Sequence, residues 1–324
     1  MKILITGGAG FVGGRLARTL LERGRLGGRA IDRLVLMDQF APPAGLLSDP
    51  RVEARTGPLL PQCADLRGEA FDGVFHLASA VSGECELDFE LGLRSNLDST
   101  RALLDALRAR TEAGHAPTRL VFASSSGVFG AEEGKPMPAV VTDETLATPQ
   151  TSYGTHKLIC EYLVADYTRK GYIDGRSARL VTVTVRPGKP NGAASSFFSS
   201  IIREPLAGLP AVCPVSLDVE HPVSSPKQTV DGLIAVWECD REALGGRSAL
   251  NLPALNMTVG GMLDALEAVA GSAVRRLVRF ERDERIAKIV AGWPRALTAE
   301  RARALGLKPE KSFEDVIRQY IADT

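Results

Sequence analysis

The chain has 324 residues, 44% of them hydrophobic, and its 39 Lys and Arg balance its 39 Asp and Glu. That composition is ordinary for a globular protein and excludes wholesale disorder, a collagen helix or a coiled coil. Zero formal net charge argues against a nucleic-acid or membrane-surface partner, both of which usually recruit a basic patch.

The length fits roughly two domains, or one large α/β unit with an appendage. No apolar run reaches the roughly 18 residues of a membrane span. The opening MKILITGGAG has no charged n-region, apolar core and cleavage site in order, so no secretory signal is expected. Cys63, Cys85, Cys160, Cys213 and Cys239 are scattered, odd in number and without a CxxC pair. They read as reduced buried thiols of a cytoplasmic protein, with no disulfide framework and no metal site.

In chain order, Lys2–Thr6 is a short apolar run ending in glycines and predicts a buried strand. Phe11, Leu16, Leu20 and Leu21 recur at helical spacing until Gly24. Further strands are expected at 33–37, 74–77, 120–123 and 180–185, with helices at about 96–110 and 152–169. This alternation predicts a parallel sheet with helices on both faces. Residues 187–227 are rich in Pro, Gly and Ser, with an apolar stretch at 197–202. A helical pattern follows at 230–237, a short strand at 250–252, a helix at about 258–270 and two helical stretches between 298 and 322.

Gly7, Gly10 and Gly13 form G-x-x-G-x-x-G between the first strand and the first helix. Gly7 permits a tight turn, Gly10 lets the backbone approach a pyrophosphate, and Gly13 lets the helix pack close. Phosphates then sit at the helix start, against the amides of Phe11, Val12 and Gly13. Asp38 ends the second strand, where a carboxylate accepts ribose hydroxyls. No Arg or Lys lies between Gln39 and Ala44 to welcome a 2′-phosphate, so NAD is expected rather than NADP. The fold class is therefore α/β, a Rossmann-type doubly wound parallel sheet with a smaller C-terminal substrate-binding region. An NAD-binding domain is expected over 1–186, with 228–252 returning to it. A mainly substrate-binding region, not strictly contiguous, is expected over 187–324.

Tyr153 and Lys157 are four apart and share one helix face. Tyrosine is a poor base at neutral pH, but a neighbouring ammonium favours the phenolate. Such a pair is a general acid/base for a secondary alcohol. Alone it is commonly a surface pair. It gains weight from Ser124, Ser125 and Ser126 at the carboxyl end of a strand, where open α/β sheets bind ligands. His76 reads as a satisfied buried histidine, His221 as a surface-loop residue, and His156 has no assigned role.

Jointly, GGAGFVG at 7–13, Asp38, HLAS at 76–79, Asn96 with Thr100, SSSGVFG at 124–130, YGTHK at 153–157 and Arg186-Pro187-Gly188 resemble the extended short-chain dehydrogenase/reductase superfamily. The resemblance implies that Ser125 is the catalytic hydroxyl, Tyr153 and Lys157 the acid/base pair, and Asn96 a catalytic, cofactor-side asparagine. Ala78 and Ser79 would line the cofactor groove, and Pro187 and Gly188 would pass beside the nicotinamide. It also implies a homodimer. Three departures from the nucleotide-sugar pattern stand out: Pro58, the stretch 189–192, and Ser225 where a diphosphate-binding Arg often stands. The stretch 186–208 and the insertion 26–31 resemble the D-erythronate dehydrogenase subgroup. That implies oxidation at C2 of a four-carbon sugar acid, with a nucleotide-sugar epimerase holding NAD tightly as the alternative. Ser124, Ser125, Ser126, Ser195 and Ser196 are then candidate partners for sugar oxygens. Lys189 and Arg203 are candidate partners for the carboxylate.

Overall fold

The computed structural model describes residues 1–188 and 193–324. The chain forms two compact units: Met1–Ser125, Thr151–Arg179 and Val230–Leu250 make one; Ser126–Gln150, Leu180–Thr229 and Asn251–Thr324 make the other. Sequence reasoning groups 126–150 with the first region. In the structure they belong to the second, because Val140–Val141 pairs in parallel with Ala296–Leu297. The Asp143 carboxylate adds bonds from the amides of Asn251 and Arg301.

The first unit is built on a seven-stranded sheet. Its strands are β1 (Lys2–Thr6), β2 (Arg33–Asp38), β3 (Val52–Thr56), β4 (Gly73–His76), β5 (Thr118–Ser125), β6 (Ile173–Leu180) and β7 (Leu250–Asn251), in the spatial order β7-β6-β5-β4-β1-β2-β3. From β3 through β5 the pairing is parallel. Leu4, Val35, Val74, Leu120 and Phe122 form one core with α2 (Ser99–Glu112) and α3 (Ser152–Arg169). The alternate residues Ile3, Ile5, Leu34 and Leu36 are equally buried and point to the opposite face. The strand order reverses between β1 and β4, and the crevice beyond their carboxyl ends is where such sheets bind ligands. The first helix, α1 (Phe11–Arg23), ends at Gly24 in the left-handed region with φ +63°, donating to the Leu20 carbonyl.

The strand expected at 180–185 lies earlier, at β6, which ends at Leu180; beyond it Thr182–Val183 is extended, as part of the second unit. β6 reads IDGRSARL and is almost wholly buried. Its charges hide it from hydropathy, yet each is paired. Arg176 donates to the carbonyls of Val236, Trp237 and Cys239, at 2.7, 2.7 and 2.6 Å, closing the carboxyl end of helix Pro226–Glu238. It also bonds Asp174, and Arg179 bonds Glu161.

The second unit has its own core, in which Phe198, Ile201 and Ile202 meet Val223, Met262, Leu263, Leu266, Phe313 and Ile317. These come from helices Phe197–Leu206, Val259–Ala270 and Phe313–Asp323 and from strand Glu220–Ser224. That strand pairs in parallel with Thr182–Val183 and antiparallel with Leu255–Thr258. Among the described residues, no helix is long and apolar enough to cross a membrane.

Gly73 opens β4 against the indole of Trp237, and a Cβ there would lie 2.6 Å from the Trp237 Nε1. Gly73→Ala is therefore expected to cost roughly 1–3 kcal/mol through overpacking. Urea unfolding followed by tryptophan fluorescence reads this directly.

Candidate functional site

The glycine loop leaves β1 at Gly7, with φ +73°, and the amides of Gly7 and Gly8 both donate to the Met37 carbonyl, at 2.8 and 3.3 Å. A Cβ at Gly7 would lie 2.8 Å from the Ala78 amide, and one at Gly13 only 2.1 Å from the Gly7 oxygen. Glycine is required at both. Gly10 is the N-cap of α1, at φ −65° and ψ 162°, and supplies no capping side chain. The helix start, bearing Val12 and Gly13, is therefore left for an anion. Asp38 binds the loop to β2: its Oδ2 accepts from the Ala9 amide at 3.0 Å and its Oδ1 from the Phe40 amide at 3.1 Å. Each oxygen keeps a lone pair for a ribose hydroxyl. These features fit a dinucleotide.

Beyond β4, the buried His76 links three elements. Its Nδ1 lies 2.6 Å from Thr6 Oγ1 and its Nε2 2.8 Å from Thr100 Oγ1. Thr100 gives its one hydroxyl proton to the Asn96 carbonyl at 2.5 Å, so His76 Nε2 donates and its Nδ1 accepts from Thr6. The ring is a neutral, satisfied histidine. Burial, with the nearby Lys157 charge, pushes it down to about 3.

Asn96 sits in a π-helical turn, Leu93–Asp98. Its Oδ1 accepts from the Ala80 amide at 2.7 Å and lies 3.1 Å from Ser79 Oγ. Its Nδ2 donates to the Ala80 carbonyl and Cys85 Sγ. The side chain is thus engaged on Ser79, Ala80 and Cys85, and holds the loop that follows β4.

Tyr153 and Lys157 lie in the first two turns of α3, whose N-cap Thr151 accepts from the Gly154 amide at 3.0 Å. The buried Lys157 Nζ donates to the Ala123 carbonyl at 2.8 Å and stands 4.9 Å from the Phe122 ring and 5.6 Å from the Tyr153 ring. One of its three protons is used and two remain. Among the described residues the half-buried Tyr153 hydroxyl has no hydrogen-bond partner. Ser125 ends β5 and is half-buried.

Ser124 is different: it is buried and donates to Glu161 Oε1 at 2.5 Å. Glu161 is in turn gripped by Arg179 at 2.9 and 2.7 Å. Ser124 is therefore a poor candidate for a substrate contact. Glu161 and Arg179 are absent from the sequence reading; the available signal was Glu161 four residues past Lys157 on the same stripe.

In the second unit, Ser126 is buried in a 3-10 turn and its carbonyl accepts from the Phe129 amide. Gly188 follows Pro187 with φ +88°. Ser195 Oγ accepts from Arg186 Nη2 at 3.1 Å, and the Ser196 carbonyl accepts from Ser200. Lys189 lies outside the described residues. Arg203 is not a solvated cation awaiting a carboxylate. It is buried, donating to the Arg186 carbonyl at 2.9 Å and to Glu204 at 2.6 Å. His221 is not on a surface loop either. It is buried on strand Glu220–Ser224, bonded to Thr182 at 2.7 Å, stacked 4.8 Å from Phe198, and pushed down to about 4 by burial.

Residues 3–224 match the family described as NAD dependent epimerase/dehydratase. D-erythronate dehydrogenase of Cupriavidus necator is 49% identical over 332 residues, covering 100% of this chain and 98% of that protein. D-erythronate dehydrogenase of Haemophilus influenzae is 43% identical over 323 residues, 99% of each. A solved structure, described as the nucleoside-diphosphate-sugar epimerase from Agrobacterium tumefaciens, superposes with a TM-score of 0.94 at 45% identity. It covers 100% of this chain and 94% of that one. The family and the α/β fold expected from the motifs are borne out.

Two outcomes follow from this geometry. Gly13→Ala should raise the Kd for NAD at least about tenfold by pushing α1 off Gly7, read by calorimetric titration. Buried neutral His76 and His221 fold with lowered values, whereas an unfolded histidine ionises near 6.5. The unfolded chain therefore binds more protons between pH 6.5 and about 4, and stability falls as pH falls through that window. Together the two rings should cost about 4 kcal/mol between about pH 7.5 and 5, seen in the urea midpoint. His221→Asn should remove about half of that slope.

Proposed function

The chain belongs to the NAD dependent epimerase/dehydratase family, and from that premise we propose that it oxidises the C2 hydroxyl of a small sugar acid, D-erythronate or a near relative, to the 2-oxo acid. The observation that carries this reading is the 49% identity to a D-erythronate dehydrogenase across the full chain. The site chemistry agrees with it. Bound NAD supplies the hydride acceptor, and the residues of the chain supply the rest. Tyr153 takes the hydroxyl proton as the C2 hydrogen leaves as hydride. Lys157, fixed on the Ala123 carbonyl, stabilises the phenolate with its positive charge. Ser125 bonds the substrate oxygen and orients it towards Tyr153. The products are the 2-oxo acid, NADH and a proton.

The name carried by the Agrobacterium tumefaciens structure favours a second reading, nucleotide-sugar epimerisation. There the hydride is returned to the sugar and no net NADH appears. Dehydration is disfavoured, because Ser126-Gly127 follows Ser125 in place of the acidic pair that dehydratases usually carry. A cytoplasmic homodimer belongs to the same proposal. Ile159 and Tyr162 expose apolar surface on α3, and the five cysteines are all free thiols.

The test is the purified protein with NAD and a panel of D- and L-erythronate and threonate, followed at 340 nm. Stoichiometric NADH with one acid is expected; none with any acid, alongside conversion of a nucleotide sugar, would favour the epimerase. Tyr153→Phe should lower kcat by roughly 10²–10⁴ while NAD binding is retained.

A further inference from the structure

Three side chains stand four apart along one stripe of α3: Tyr153, Lys157 and Glu161. Two of them are tied to successive residues of β5. Lys157 Nζ donates to the Ala123 carbonyl at 2.8 Å, and Glu161 Oε1 accepts from Ser124 Oγ at 2.5 Å. The next residue of the strand is Ser125, and the next turn towards the start of the helix carries Tyr153. The helix and the strand are therefore pinned together immediately beside the two groups that must meet on one substrate oxygen.

The second of these ties has unusual authority. Ser124, Glu161 and Arg179 are all more than nine-tenths buried. A buried carboxylate persists only when paired and hydrogen-bonded. Arg179 meets it with a two-pronged grip, Nε to Oε1 and Nη2 to Oε2, that fixes the plane of the carboxylate. With that plane fixed, Glu161 Oε1 can satisfy the Ser124 hydroxyl at one register of α3 on β5. A slip of α3 by a fraction of an ångström breaks a bond in an interior with no water to replace it.

We infer that Glu161, clamped by Arg179 and acting through Ser124, is a positioning residue for the reaction: it sets the register that brings Tyr153 and Ser125 to the same substrate atom. This rests on the dehydrogenase reading for its substrate but not for its geometry. Glu161 touches neither substrate nor cofactor. Its effect falls on the step in which proton and hydride leave, where small misplacements are amplified.

The decisive variant is Ser124→Ala, which cuts the tie and leaves the Glu161–Arg179 pair intact. On the acid that the wild type oxidises best, kcat should fall about tenfold or more, as expected for a misaligned reacting pair. The KM for the acid and the Kd for NAD should stay within about threefold. The primary isotope effect with C2-deuterated substrate should rise, because the chemical step becomes more limiting. Ser124→Thr, which keeps the hydroxyl, should recover most of kcat. Glu161→Gln should lose at least as much as Ser124→Ala. A folded Ser124→Ala with wild-type kcat and isotope effect, or a folded Ser124→Thr no better than Ser124→Ala, would overturn the inference. If the wild type oxidises no acid, the dehydrogenase reading falls and hydrogen exchange judges the tie alone. Faster exchange of the amides at 152–158 in Ser124→Ala supports it, and unchanged exchange sinks it.

Discussion

An ammonium buried against a peptide carbonyl organises the first unit. Lys157 is almost fully enclosed, and a cation taken out of water is tolerated only with firm partners. It has the Ala123 carbonyl and the faces of two aromatic rings, Phe122 below and Tyr153 beside. That arrangement demands that the helix carrying Lys157 lie flat on the strand carrying Ala123. The same helix carries Tyr153 one turn before Lys157, and the same strand ends two residues past Ala123 at Ser125. The Lys157 contact and the Ser124–Glu161 bond beside it tie α3 to β5 at two successive strand residues.

Much of this was legible in the residues because it is local. The glycine loop announces itself: Gly7 and Gly10 sit between a strand and a helix, Gly13 sits in the helix's first turn, and each absent side chain answers a measurable crowding. Tyr153 and Lys157 are legible for the same reason, since spacing on a helix is spacing in space. What escaped was whatever depended on partners far away in sequence. β6 looks like a polar loop until Arg176 is seen against the end of a helix some sixty residues on. Ser124 looks like its neighbour Ser125 until Glu161 claims its proton. Arg203 looks like a cation for an anionic ligand until Glu204 and the Arg186 carbonyl are found already holding it. A charged residue declares its type in the sequence, but not whether its charge is already balanced.

His76 and Asn96 form a second layer beneath the groove. The imidazole joins β1 to α2, and the amide of Asn96 joins the loop after β4 to the turn that precedes α2. Neither group is arranged to meet a ligand. His76 holds the carboxyl ends of β1 and β4 together where the strand order reverses, and Asn96 holds the loop that leaves β4. The motif residues of this layer act as struts, so their presence in a pattern reports on the shape of the groove as much as on its chemistry.

Asp38 illustrates how one side chain makes a loop rigid. Both of its oxygens already accept a backbone amide, one from Ala9 and one from Phe40. Such an anion can still receive the hydroxyls of a plain ribose. Turning the carboxylate away would strand two peptide N–H groups and slacken the glycine loop. One short acid thereby keeps its negative charge at a fixed place at the end of β2, held by the backbone on either side of it.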